Sequence, residues 1–180
     1  MSTASGNLEV KYPIDFFVDS PDIRLRALQT NFRDASMSVG RILRDNGLVE
    51  SLLVHQADDG YDVGPRIYMG WILGIIVGTL AQIESLRSNL AWEAIPFGLE
   101  VEIWNEGSDG PIELQWTDRG YSRGGRTVES ATPIRLPRYH VGSIQEYDSL
   151  VSLLIRDIMN AWHQNYESVW TVPWSELLPN

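Results

Sequence analysis

The sequence predicts an α+β domain, an antiparallel β-meander of about four strands packed on three long helices. Three observations carry that expectation. A central stretch, 66–90, contains 17 consecutive uncharged residues from Ile67 to Ile83. Apolar residues recur at three-four spacing on either side of it, within 20–46 and 143–161. Between these lies a region of period two interrupted by turn-forming residues.

Composition bounds the rest. A chain of 180 residues is long enough for one well-cored domain spanning 1–180, with 1–7 as an extension and 166–180 as an aromatic tail. The net charge of -10 and a pI near 4.6 disfavour nonspecific nucleic-acid binding and favour basic partners. Lys11 is the single lysine against 13 arginines, a balance expected of a salt-adapted (halophilic) or GC-rich source. Cysteine is absent, so disulfides and thiolate metal sites are excluded. The opening MSTASGN has neither a basic region nor an apolar core, so no secretory signal is expected, and a cytoplasmic or virion location follows.

Leu8 to Val18 alternates. Leu8, Val10, Tyr12, Ile14, Phe16 and Val18 share one side, and Glu9, Lys11, Asp15 and Phe17 the other. That is the pattern of a half-buried strand, and Pro13, lacking a donor, assigns it to an edge. An edge strand near a terminus can pair with a neighbouring chain as well as its own. Ser20-Pro21-Asp22 then reads as a helix start, and Asn46-Gly47 as its end. Leu25, Leu28, Phe32, Ala35, Val39 and Ile42 would form its apolar seam, with Arg24, Arg26, Arg33, Arg41 and Arg44 on a basic face.

Val49 to Gln56 is ambiguous between strand and helical turn. His55 with Asp58, Asp59 and Asp62 has acidic character, but its spacing fits no calcium loop, and no metal is expected there. The central helix is expected to be buried within a soluble domain. Thr79 and Gln82 interrupt its apolar surface, it is short for a membrane span, and no Lys/Arg cluster flanks it. Gly70, Gly74 and Gly78 form one bare stripe that would let another element approach closely.

Leu99, Val101 and Ile103 alternate with Glu100, Glu102 and Trp104, and Ile112, Leu114 and Trp116 with Glu113, Gln115 and Thr117. The turn-rich link 105–111 predicts that these two segments pair as a hairpin. A third strand is expected between Thr127 and Val141, confined to an edge by Pro133 and Pro137. Glu100, Glu102 and Glu113 are too alike to be the differentiated carboxylate pair of a glycosidase. The intervening loop 118–126, with Arg119, Arg123 and Arg126 among three glycines, is the most chemically suggestive stretch. An exposed hairpin tip, or one ordered by an acidic neighbour, is its expected role, since no helix follows it to make a phosphate site. Ser143 and Glu146 mark a capping box opening the last helix. Beyond that helix Trp162, Tyr166, Trp170 and Trp174 recur every four positions, as rings for a partner or a rim on the core.

Three histidines lie far apart, and no nucleophile-elbow, zinc-protease or phosphate-loop pattern accompanies them. The expected function is therefore non-catalytic, with no cofactor. It is that of a structural or assembly subunit, such as a neck, tail or capsid-associated virion protein, bound to neighbouring subunits or to copies of itself. Tyr12, Phe16, Arg119, Arg123, Arg126, Trp162, Tyr166, Trp170 and Trp174 are its candidate partner-binding residues. The alternatives are an acidic inhibitor or immunity-type protein masking a basic partner, and an enzyme whose site converges only in space.

Overall fold

Residues 22–55, expected to be mainly helical, form a sheet. The computed structural model describes residues 22–24, 27–33, 37–44, 47–55, 66–105, 112–118, 121–128, 133–164 and 172–177. Strands Asp22–Arg24 (β1), Ala27–Arg33 (β2), Met37–Arg44 (β3) and Val49–His55 (β4) pair antiparallel in the order β1-β2-β3-β4. The predicted helix is thus overturned, and with it the basic helix face. Leu28 and Phe32 are four apart on β2, as period two allows, but Val39 and Ile42 are three apart on β3 and alternate to opposite faces, so the helical seam is divided between the two sides of the sheet. Phe32, Val39 and Leu53 are cross-strand partners in one row. Ile23, Thr30, Val39 and Ile42 are β-branched and suit a pleated surface. Gly47, at φ 81°, turns the chain between β3 and β4, the conformation glycine adopts without steric cost. Asn-Gly ends helices and turns hairpins alike, and here strand pairing decides which.

A three-residue strand, Arg66–Tyr68 (β5), runs directly into the central helix Met69–Asn89 (α1). From Trp71 to Arg87 no residue of α1 is exposed, and the helix packs against β4, β5 and the strand Ile112–Asp118 (β8). By length and composition α1 could cross a membrane, yet buried residues on this helix face a protein core. The glycine stripe is used unevenly. Gly74 is buried and Gly78 half-buried, whereas Gly70 is exposed and a methyl group there would touch nothing.

The predicted hairpin between 99–104 and 112–117 is also corrected. Phe97–Leu99 (β6) and Glu102–Ile103 (β7) pair instead with Tyr139–Val141 (β11) and Ile134–Arg135 (β10). The registers Leu99↔Tyr139 and Glu102↔Arg135 leave one extra residue on the later strand, in the stretch holding Pro137, which has no N–H to offer the ladder. The alternation itself holds. Leu99 and Ile103 are buried while Glu100, Glu102 and Trp104 are exposed. Meanwhile β8 pairs parallel with β5 and antiparallel with Tyr121–Val128 (β9). A parallel pair needs a crossover, and α1 lies within it. The loop predicted over 118–126 is in large part strand β9, with a bulge near Gly124-Gly125, where glycine accommodates the extra residue.

A 3-10 turn, Ile144–Glu146, leads into helix Tyr147–Ala161 (α2), and a one-turn helix, Trp174–Leu177 (α3), ends the described chain. The capping box is not made, and Glu146 instead reaches one residue further back. Ser143 gives no side-chain cap, and Glu146 Oε2 accepts from the Gly142 N–H at 2.9 Å. Among the described residues there are thus two long helices and four small sheets, in place of three long helices on one meander. Their common core joins one face of α1 (Ile72, Leu73, Ile76, Leu80) to one face of α2 (Leu150, Leu154, Ile158) over Leu99, Leu114 and Val141.

Both long helices end alike. At the end of α1 the Trp92 N–H reaches the Arg87 carbonyl and the Ala91 N–H that of Ser88. At the end of α2, Gln164 reaches Met159 and His163 reaches Asn160. This paired closure normally places glycine in the left-handed position, but Ala91 and His163 occupy it, each at φ 55°.

Candidate assembly surface

The sheet β1–β4 ends at β4, which among the described residues has a hydrogen-bonded neighbour on one side only. Its side chains divide cleanly. Val49, Ser51 and Leu53 are half-buried, and α1 packs on this strand, with the Thr79 and Ser51 hydroxyls sharing a hydrogen bond at 2.7 Å. Thr79 also donates back to the Ile75 carbonyl at 2.6 Å, so its hydroxyl is satisfied inside an apolar helix. The alternate positions Glu50, Leu52 and Val54 are exposed, and Leu48 extends that apolar surface. Leu52 and Val54 are each 43% exposed. Edge strands are usually blunted by lysine, proline or a bulge. Over Val49–His55 the sole acidic residue is Glu50, and there is no lysine or proline.

A second apolar surface lies at the end of α1, where Leu90, Trp92 and Ile95 are 48%, 45% and 52% exposed. It is held rigidly from beneath. Arg87, only 5% exposed, donates to the carbonyls of Trp92, Glu93 and Gly142 and to Glu84 Oε2, and its guanidinium lies 5.6 Å from the Phe97 ring centroid. Nothing in the local sequence distinguished Arg87 from a solvated arginine of a helix end. The arginine is buried because the chain returns over it at Gly142.

Among the described residues two phenols depart clearly from their ordinary titration. Burial first, and then hydrogen bonding to Asp157, pushes the Tyr139 hydroxyl well above the ordinary tyrosine range. Burial, followed by the hydrogen bond to Glu84, does the same for Tyr147. Both phenols remain protonated at neutral pH and act as donors to carboxylates, a structural arrangement. Among the described residues no group of three His, Asp or Glu side chains is placed to hold a metal ion.

The candidate binding residues read from the sequence scatter. Trp162 is fully buried, and its indole donates to the Ile112 carbonyl at 2.9 Å, so its own chain covers the ring. Trp174 is half-buried, edge-on to Tyr147 at 5.1 Å between centroids, and donates to Asp148 Oδ1 at 2.9 Å. Arg123 and Arg126 lie on β9, with Arg123 opposite Trp116. Tyr12, Phe16, Arg119, Tyr166 and Trp170, together with Asp58, Asp59 and Asp62, lie outside the described residues. The β4 surface carries none of these names. Its signal in the sequence was the run Leu48–His55, which has apolar residues on both sides of the strand. Compared with known proteins, the chain matches no family model, no curated protein and no solved structure.

Proposed function

We propose that this chain is a non-catalytic assembly subunit that uses β4 to join neighbouring protein chains. The observation that carries the reading is an edge strand of seven residues with Leu52 and Val54 exposed and no lysine or proline to block pairing. Strand addition at such an edge gains main-chain hydrogen bonds along its length, and the exposed apolar side chains supply burial. The turn carrying Leu90, Trp92 and Ile95 offers a second contact on the same acidic body, rigid before any partner arrives. A neck, tail or capsid-associated position in a virion is the setting this reading names.

The test is the mass in solution of the purified chain across a range of protein and salt concentrations. Light scattering is expected to give a multiple of 20.4 kDa that persists or grows as salt screens the acidic surface. A single mass of 20.4 kDa under all conditions ends the reading.

A further inference from the structure

We infer that the outer edge of β4 is the docking site for Leu8–Val18 of a second copy of this chain, added as a further strand. The inference rests on the assembly reading and names its partner. Twenty-one residues precede β1 outside the described sheet, and they contain the alternating segment. In the chain it precedes β1, which among the described strands is the edge opposite β4. Val18 and Asp22 are four residues apart, and an extended chain covers at most about 14 Å over that distance. A position beyond β4 lies four strand spacings from β1, about 19 Å away before any detour around the sheet. Val18 of the same molecule therefore cannot sit beside β4, whereas a second copy can lay the whole of Leu8–Val18 along it.

Two further features favour that site. Among the described residues β1 is three residues long and β4 seven, so β4 gives the longer edge. The apolar row Tyr12, Ile14 and Phe16 also matches what β4 leaves uncovered, since Leu52 and Val54 need apolar neighbours and a polar strand would supply none. In this arrangement each copy supplies one donor segment and one acceptor edge. Such a contact is heterologous, and it propagates head-to-tail into a ring or a filament.

The chain contains no cysteine, so cross-linking reports the contact without background. Full-length chains carrying Tyr12→Cys or Phe16→Cys are mixed with chains carrying Leu52→Cys and oxidised, one of the two being isotopically heavy. A disulfide between heavy and light chains is expected, forming on the order of tenfold or more faster than with exposed Asn160→Cys as partner, because docking raises the effective concentration. Chains with both Leu52→Lys and Val54→Lys should keep the unfolding transition of the parent and lose its higher mass. If the parent chain is multimeric and Leu52 cross-links no better than Asn160, the docking inference fails and the assembly reading survives. If the chain is monomeric throughout, both fail. A doubly substituted chain, Phe16→Cys with Leu52→Cys, that closes its disulfide only within one molecule overturns the exchange between copies.

Discussion

Tyr147 donates its phenolic proton to Glu84 Oε2 at 2.9 Å, and Arg87 Nη1 meets that same oxygen at 3.1 Å. One carboxylate on α1 therefore ties the start of α2 to the cation that supports the Leu90–Ile95 turn. The first prediction concerns this triad. Arg87→Met removes the cation from a half-buried carboxylate and three backbone carbonyls, and should cost about 3–5 kcal/mol, as breaking a buried pair does. Pairing it with Glu84→Gln should recover part of that loss. Denaturant unfolding of the two single variants and the double variant measures the coupling.

Trp162 joins the end of α2 to β8 through a hydrogen bond on a ring with no exposed surface. Trp162→Phe keeps most of the ring and leaves the Ile112 carbonyl without its donor, at about 1–3 kcal/mol. Trp162→Ala opens a cavity as well and should cost about 3–5 kcal/mol. Equal losses from the two variants would show that the hydrogen bond, not the packing, dominates.

Alkaline pH should destabilise the protein through the buried phenols of Tyr139 and Tyr147. Tyr139 and Tyr147 have folded pKa values raised above the ordinary value near 10. Above that value the unfolded chain loses these protons first, so the native state binds more protons and stability falls as pH rises. Below about pH 10 the contribution is fully present and stability does not change on their account. Phenolate absorbance should show at least these two tyrosines titrating late and together with unfolding. Tyr139→Phe and Tyr147→Phe should each flatten the alkaline slope, at the loss of one hydrogen bond at neutral pH.

The left-handed residues that close the helices predict gains. Ala91→Gly relieves a backbone position at φ 55° and should raise stability by up to about 1 kcal/mol, offset in part by the freedom glycine has in the unfolded chain. Gly70→Ala should also stabilise, by about 0.5–1 kcal/mol, because the added methyl meets nothing. Thermal unfolding measures both, and a loss at Gly70 would mean that its bare backbone faces a partner.

Some elements were legible because their signal is local. The uncharged run Ile67–Ile83 is helical from Met69 onward, and Leu150, Leu154 and Ile158 announce the buried face of α2. Leu99 and Ile103 alternate with Glu100 and Glu102 and fall on opposite sides as period two requires. The spacing of Leu28 and Phe32 fitted a helix and a strand equally, that of Val39 and Ile42 fitted a helix better, and the sheet was missed because strand pairing overrode the local pattern. The β4 surface was missed because its exposed leucine and valine look like core in any window of sequence.

Composition and periodicity determined the acidic charge, the absence of thiol chemistry and the two long helices, since each is a property of a short window or of the whole count. Which strand lies beside which, whether Trp162 faces inward, and that Arg87 is enclosed were decided only by the tertiary structure. These depend on contacts between residues far apart in the chain, such as Arg87 with Gly142, 55 positions on, and a local pattern carries no record of what will arrive to cover it.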